Sequence, residues 1–486
     1  MSLKAKGINA AKWSGMSTIF QIIVQLLQLI LVSRLLGPTD YGLMGMVMVV
    51  VAAAVNLTDM GISNAIIHRQ DVNRNHLSSL YILNLAMSAF ITLIIFLSAP
   101  IVAAFYNEPR LVNPVRWMSL LCLIPAFGQQ FEVLFRKELK FNNISKIQIA
   151  AYVAGFLIAF IGAYAGMGVY ALVGSYLGNA LVKSVGLMFL GWRTWPPTLH
   201  FARKDLKGYL SFGVYQMSSN VLQSFMSNLD YIILGRLYGA QALGYYSFAF
   251  QLCIMPVQKL SPLVSTVSLP IFAKIQDRID ELRGVYVKVV GWVSYLNAPI
   301  YLGIIVTAPV LVPFVFGEKW LPSTLIIQIL SVAMLIRALI LPIQPLLQAK
   351  GRADVYFRYT LIGMCVQIPG LFIGAFAGGA IGVSIAFIVI QLALFAIQYS
   401  YAVKRMVGSC LAPYLKSMLP AMVYGLIMVV GVFAVDRLFF LLMGQHANFI
   451  VQVVCGVIFY AAAIFIFNRS LIQNLRDMLI RKNKLA

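Results

Sequence analysis

The chain alternates between long apolar runs and short polar connections. Many of the runs are about 18–25 residues long, which is enough for a helix to cross the roughly 30 Å hydrocarbon core of a bilayer. We therefore predict an all-α polytopic membrane protein with fourteen transmembrane helices. The approximate limits of these spans are 13–33, 42–63, 79–104, 115–133, 147–166, 169–191, 209–235, 243–262, 289–308, 323–347, 357–377, 379–401, 417–435 and 447–467.

Composition and charge support this prediction and indicate an orientation. Of the 486 residues 61% are hydrophobic and only 11% are charged, whereas a soluble domain usually has about 25% charged residues. If the N-terminus is cytoplasmic and the spans alternate, 28 of the 37 Lys and Arg residues fall on the cytoplasmic side, six outside and three within spans. The positive-inside rule then predicts an even number of spans with both termini in the cytoplasm. It also explains the net charge of +22 without nucleic acid as a partner.

One stretch of the chain occurs twice. The sequence "RLLGPTDYGL" from Arg34 returns as "RLYGAQALGY" from Arg236, and "GAYAG" from Gly162 returns as "GAFAG" from Gly374. Six spans separate the copies, so both enter the membrane with the same orientation, as in transporters whose halves rock about a central site. We predict two parallel six-helix repeats followed by two further helices. The predicted domains are an N-terminal lobe (1–205), a C-terminal lobe (206–410) and a segment with the two extra helices and a basic tail (411–486).

Polar residues repeat in the same way. The first span carries Ser14, Thr18, Gln21, Gln25 and Gln28, and the seventh carries Gln216, Asn220, Gln223, Ser227 and Asp230. Steps of three and four place each set on one helix face, and an unsatisfied polar group in hydrocarbon costs several kcal/mol. Hydrogen bonds between helices would satisfy one such stripe. Two stripes at matching positions favour a water-filled cavity shared by the halves, with the six Gln and Asn side chains as candidate substrate-binding residues.

Three cations lie within predicted spans. Arg337 is near the middle of the tenth span, and Lys183 and Lys259 are in the inner parts of the sixth and eighth. Charges at such depth are costly and usually face a cavity or a partner. We interpret all three as candidate sites for an anionic group of a substrate. For the two lysines, extension to the cytoplasmic headgroups is the alternative.

Three carboxylates are candidates for coupling transport to an ion, because a buried acid can exchange a proton or a sodium ion. Asp230 is the first choice since it belongs to a polar stripe, Asp59 is the second, and Glu132 is the third. Alternatively, Asp59 caps a helix end and Glu132 pairs with the basic loop that begins at Arg136.

Catalytic motifs are missing from the sequence. It has no GxxxxGK[ST] phosphate-binding loop, no HExxH or GxSxG motif and no CxxC pair, and its four histidines are not spaced as metal ligands. We therefore predict that the protein is not an enzyme and uses no metal or cofactor.

Several segments resemble one known group of transporters. They are "RLLGPTDYGL", "GQQFEVLFRKELKFN" from Gly128, "LPIFAKIQDR" from Leu269 and "LVPFVFGEKW" from Leu311. With the 6 + 6 + 2 plan, they resemble the polysaccharide transporter family of the multidrug/oligosaccharidyl-lipid/polysaccharide (MOP) flippase superfamily. Within it, they are most similar to the Wzx-type branch that contains the colanic acid exporter.

The resemblance implies a function. Such proteins move an undecaprenyl-pyrophosphate-linked oligosaccharide across the bacterial cytoplasmic membrane (the cell inner membrane) for exopolysaccharide, capsule or O-antigen synthesis. The implied partners are this lipid-linked substrate, membrane lipids, a polysaccharide polymerase and a chain-length regulator. A drug/cation antiporter and a peptidoglycan-precursor flippase would share the fold. The surplus of deep cations argues against the antiporter. A membrane-embedded polymerase or ligase would need a catalytic constellation that the sequence lacks.

Overall fold

The computed structural model describes residues 3–58, 66, 73–198, 200–202, 204, 223–439 and 445–467, with side chains left out for 3–11 and 438–448. The described part of the chain is helical without strands, so the all-α prediction is confirmed. Of the predicted site residues, Asp59, Gln216 and Asn220 lie outside the described residues.

The chain divides into two compact units, an N-terminal unit (Met1–Ser247) and a C-terminal unit (Phe248–Ala486). The N-terminal unit contains α1 (Leu3–Leu35), α2 (Pro38–Thr58), α3 (Arg74–Tyr106), α4 (Val112–Lys137), α5 (Phe141–Tyr164), α6 (Val169–Trp192) and the first part of α7 (Leu229–Lys274). The C-terminal unit contains the rest of α7, α8 (Ile279–Leu311), α9 (Ser323–Ile340), α10 (Ile343–Ala349), α11 (Ala353–Ile397), α12 (Lys404–Val407), α13 (Leu411–Phe439) and α14 (Gln445–Phe467). Short 3₁₀ turns (Pro109–Leu111 and Glu318–Trp320) and π-helical turns (Val312–Phe316 and Gln398–Val403) complete the elements. Within the N-terminal unit α6 packs on α4 and α5, and α1 packs on α5, whereas α8 is the central helix of the C-terminal unit.

Within the described residues, twelve helical segments are long and apolar enough to cross a membrane. The sequence predicts fourteen, and the difference arises at α7 and α11, which have 46 and 45 residues. A straight helix of that length would measure about 68 Å, more than twice the thickness of a hydrocarbon core. Neither helix can therefore be a single straight span.

Helix α7 turns back on itself at Gly239. The hydroxyl of Tyr246 lies 2.7 Å from Oδ2 of Asp230, 16 residues earlier, whereas a straight helix would separate these positions by about 24 Å. Gly239 has φ 77° and ψ −176°, a conformation that glycine adopts readily because it has no Cβ. The glycine of the repeated motif thus reverses the chain.

Helix α11 turns back in the same way. A Cβ placed on Gly374 would lie 2.6 Å from Cβ of Ala386, although twelve residues of straight helix span about 18 Å. The helical dihedrals are interrupted at Gly378 and Gly379, the latter with φ 56°. The close contact of the two arms depends on the missing side chain of Gly374.

The tenth predicted span is broken. Helix α9 ends at Ile340 and α10 begins at Ile343. Pro342 lies in the break, where its ring and its missing N–H disfavour a continuous helix. Arg337 occupies the last turn of α9, one turn before the break and near the middle of the 27-residue span Ser323–Ala349.

The two copies of the repeated motif touch each other within the N-terminal unit. A Cβ on Gly42 would lie 1.7 Å from the carbonyl oxygen of Ala240, and a Cβ on Gly244 would lie 1.8 Å from that of Pro38. Pro38 and Ala240 are equivalent positions in the two copies, as are Gly42 and Gly244. The contact is therefore reciprocal, and it brings the start of α2 against the second arm of α7.

Candidate functional site

The polar stripe of α1 faces α5 and α6. Nε2 of Gln21 donates to Oε1 of Gln148 on α5 at 3.3 Å, and Nε2 of Gln28 donates to Oγ of Ser175 on α6 at 3.1 Å. Hydrogen bonding between helices, the alternative considered for one stripe, thus occurs at both positions. Gln21, Gln25 and Gln28 are half-buried and keep accessible surface, so their role in substrate binding stays a prediction.

The described part of the second stripe ends in a buried carboxylate. Gln223 is exposed at the start of the described segment. Asp230 is only 2% exposed and accepts the hydrogen bond from Tyr246, which lies on the returning arm of α7. A carboxylate held by a hydroxyl inside a membrane protein is chemically suited to proton exchange, and the role of Asp230 in ion coupling stays a prediction.

Glu132 forms the centre of an ion cluster between α4 and α6. Its Oε2 lies 2.9 Å from Nζ of Lys183, and its Oε1 lies 2.5 Å from Nη2 of Arg136. The Glu132 side chain is 10% exposed, against 33% for Lys183 and 51% for Arg136. The structure therefore joins Lys183 and Glu132, for which we predicted separate roles, and it shows the pairing with Arg136 that was the alternative for Glu132.

Two further cations belong to the C-terminal unit. Arg337 is half-buried, and its charge is within electrostatic range of the hydroxyls of Tyr301 on α8 and Tyr359 on α11. Lys259 is half-buried on the second arm of α7. The second arm of α7, which carries Lys259, touches α9, which carries Arg337. At this contact Sγ of Cys253 lies 3.5 Å from Oγ of Ser331. Each cation follows this contact by six residues along its own helix.

Sequence reasoning missed a group of tyrosines in the N-terminal unit, which we call the tyrosine cluster. Its members are Tyr41 on α2, Tyr152 on α5, Tyr176 on α6 and Tyr231 on α7. Tyr176 is within electrostatic range of each of the other three. A single tyrosine in an apolar span has no periodic signal, so only the packing of four helices reveals the group.

Comparison with known proteins identifies the family. The family of polysaccharide biosynthesis proteins matches residues 31–325. The chain belongs to this family. The match begins in the last turn of α1, just before the first copy of the repeated motif, and ends in α9. Together with the relatives described next, it confirms the resemblance to Wzx-type polysaccharide transporters. The twelve apolar helices of the described residues make the chain a multi-pass membrane protein.

Relatives within the family cover most of the chain. The lipopolysaccharide biosynthesis protein WzxC of Escherichia coli (strain K12) is 33% identical over 86% of this chain and 85% of its own. The teichuronic acid biosynthesis protein TuaB of Bacillus subtilis (strain 168) is 30% identical over 88% of this chain and 89% of its own. Among solved structures, the lipid II flippase MurJ in an inward closed conformation superposes with a TM-score of 0.77 at 13% identity, over 96% of this chain and 100% of MurJ. At this identity the MurJ likeness shows the fold alone.

Proposed function

We propose that the protein is a flippase that moves undecaprenyl-pyrophosphate-linked oligosaccharides across the bacterial inner membrane by alternating access of two lobes. The observation that carries the proposal is the family relationship, which extends over 86% of the chain in the case of WzxC. The product would feed exopolysaccharide, capsule or O-antigen synthesis, with a polymerase and a chain-length regulator as downstream partners. On this proposal both termini lie in the cytoplasm, as the distribution of Lys and Arg indicates.

The topology that we propose has fourteen spans, arranged as two parallel six-helix repeats (1–205 and 206–410) and a final segment (411–486). The reversals at Gly239 and at Gly378–Gly379 support it, because each lets one long helix supply parts of two spans. The reciprocal contact of Gly42 and Gly244 supports two equivalent copies.

For the anionic pyrophosphate we propose Arg337 and Lys259 as binding residues. In the proposed topology their helices run in the same direction, so cations six residues beyond the Cys253–Ser331 contact lie at similar depth. The break after α9 also suits a binding site, since interrupted helices near the midplane bind ions and substrates in other transporters. Lys183 is a weaker candidate because Glu132 already neutralises it.

For the sugar we propose the polar side chains of α1 and the described end of the second stripe, Gln21, Gln25, Gln28 and Gln223. Their amides can exchange hydrogen bonds with hydroxyl groups. Asp230 is the proposed coupling residue, because its carboxylate is buried and held by Tyr246.

A transport assay tests the function and the anion site together. A strain lacking the protein should accumulate lipid-linked oligosaccharide in the inner leaflet, and the wild-type gene should clear it. We expect Arg337→Ala to abolish clearance at normal expression, whereas Arg358→Ala, at an exposed position on α11, should clear normally. No accumulation in the deletion strain would refute the function, and full clearance by Arg337→Ala would remove Arg337 from the site.

The rivals that share the fold give different outcomes in the same experiment. A peptidoglycan-precursor flippase would cause lipid II to accumulate instead of a polysaccharide unit. A drug/cation antiporter would leave both lipid pools unchanged and alter resistance to organic cations. The family match to polysaccharide biosynthesis proteins supports the first proposal over both.

A further inference from the structure

The tyrosine cluster contains one exposed ring, that of Tyr176. Tyr176 is 39% exposed, and it lies within electrostatic range of the other three tyrosines. Tyr152 and Tyr231 are partly accessible beside it, and Tyr41 is 8% exposed.

The opposite face of α6 is the one suited to lipid. Leu181, Val185 and Phe189 are 51%, 51% and 71% exposed, and at 100° per residue they lie about 140–180° around the helix from Tyr176. Lys183, seven residues after Tyr176, returns to the same face as the tyrosine. The accessible surface of Tyr176 therefore lies on the side of α6 that carries the ion-paired Lys183, and not on this apolar side.

Neighbouring residues hold the cluster in place. The amide of Gln28 donates to Ser175, the residue before Tyr176. Tyr231 packs edge-to-face on Tyr246 with ring centroids 6.0 Å apart, and Gly45 leaves room for it because a Cβ there would lie 3.3 Å from the Tyr231 ring. The rings are thus ordered before any ligand arrives, which lowers the entropic cost of binding.

This arrangement is selective for one class of ligand. Aromatic faces with a few convergent hydroxyl and amide groups are typical of small-molecule sites. A pyranose ring combines an apolar face of C–H bonds with a rim of hydroxyl groups, so it complements both features. The acyl chain of a lipid has no hydroxyl groups and would use only the apolar part of the Tyr176 ring.

We infer that the tyrosine cluster binds the glycan of the lipid-linked substrate, with a pyranose ring stacked on Tyr176. The inference rests on the proposed function and adds the residues that recognise the sugar. Lys183 lies on the same helix face about 10 Å away, the length of seven helical residues. The sugar site is therefore close to the cationic end of this face, where Glu132 and Arg136 complete the ion cluster.

The test compares two ligands on the purified full-length protein. One is the pool of lipid-linked oligosaccharides extracted from the strain that lacks the protein, and the other is sugar-free undecaprenyl pyrophosphate. The ratio of the two Kd values measures recognition of the glycan. We expect Tyr176→Leu to reduce this ratio about tenfold, equivalent to about 1.4 kcal/mol, with an unchanged Kd for the sugar-free lipid.

Two variants serve as controls. Tyr176→Phe keeps the ring and should retain the ratio within about threefold, because the surface on which the pyranose stacks is unchanged. Tyr164→Leu removes a tyrosine that is 80% exposed at the end of α5 and should leave the ratio unchanged. If Tyr176→Leu loses the sugar-free lipid as well, Tyr152→Leu decides by the same ratio.

The outcomes separate the inference from the function. A wild-type protein that prefers the glycosylated lipid, with Tyr176→Leu showing the same preference, would overturn the tyrosine site and leave the flippase proposal intact. A wild-type protein without such a preference would overturn the tyrosine site too. If it also fails to bind the extracted lipid at all, the proposed function falls with it.

Discussion

Replacing Gly42 by alanine should destabilise the N-terminal unit, although the same change would stabilise an isolated helix. Gly42 lies inside α2, and its new Cβ would lie 1.7 Å from the carbonyl oxygen of Ala240 and 2.9 Å from the amide nitrogen of Gly244. Both contacts are with backbone atoms, so no side-chain rotation can relieve them. An ordinary Cβ contact begins at 3.4 Å, so the two backbones would have to separate by about 1.7 Å.

Two opposing effects decide whether Gly42→Ala raises or lowers the free energy of unfolding. Alanine is favoured over glycine in a helix by about 1 kcal/mol, whereas overpacking a close contact costs about 1–3 kcal/mol and more when backbone must move. We expect the steric term to prevail because the overlap is large, giving a net loss of about 1–2 kcal/mol in the free energy of unfolding. Gly244→Ala should lose a similar amount, since its Cβ would meet Pro38 at 1.8 Å.

The apparent melting temperature of the purified protein in detergent measures this effect. The matched control is Gly15→Ala in α1, where nothing lies within 4 Å of the new Cβ; here only the helix propensity remains and the melting temperature should not fall. A Gly42→Ala protein as stable as Gly15→Ala would refute the reasoning, because it would mean that α2 and α7 are not in backbone contact.

Two further predictions concern buried charges. Glu132→Gln should lower the apparent melting temperature more than Arg136→Ala, because it leaves the cations Lys183 and Arg136 facing each other. The Arg136 side chain is 51% exposed, and exposed ion pairs contribute at most about 1 kcal/mol to stability. The reverse order of melting temperatures would contradict the central place of Glu132. Asp230→Asn should fold, since an amide oxygen can still accept from Tyr246, but transport in proteoliposomes should no longer respond to an imposed proton or sodium gradient. A response equal to that of the wild type would exclude Asp230 as the coupling residue.

Hydrophobic periodicity identified the helices because the hydrocarbon core imposes a minimum length on every span. The repeated motif singled out Gly42 and Gly244 as equivalent positions. It did not reveal that the two glycines touch, because a repeat in the sequence does not tell how far apart its two copies lie in the folded protein. The reversal of α7 at Gly239 was implied by the limits of the predicted spans, but the structure keeps helical hydrogen bonding so close to the turn that one continuous element results.

The candidate site was less accessible to sequence reasoning. Lys183 and Glu132 were each placed in the inner part of a span, but their ion pair depends on which faces of α4 and α6 meet, and two spans do not determine that angle. Gln28 was selected for its polarity, and its partner Ser175 carried no signal of its own. Tyr176 was missed because tyrosine is common in membrane helices, and its accessibility arises only from the helices around it.

The contact of Gly42 with Ala240 and of Gly244 with Pro38 has the form of an isologous interface, in which residue i of one copy meets residue j of the other and the reverse also holds. A six-helix protein with a single copy of the motif could pair with itself through this surface as a parallel homodimer. Fusion of two such genes would make the pairing intramolecular and independent of protein concentration. Each half could then acquire its own side chains, such as Tyr176 in the first half and Arg337 in the second, whereas a symmetric dimer would have to carry each of them twice.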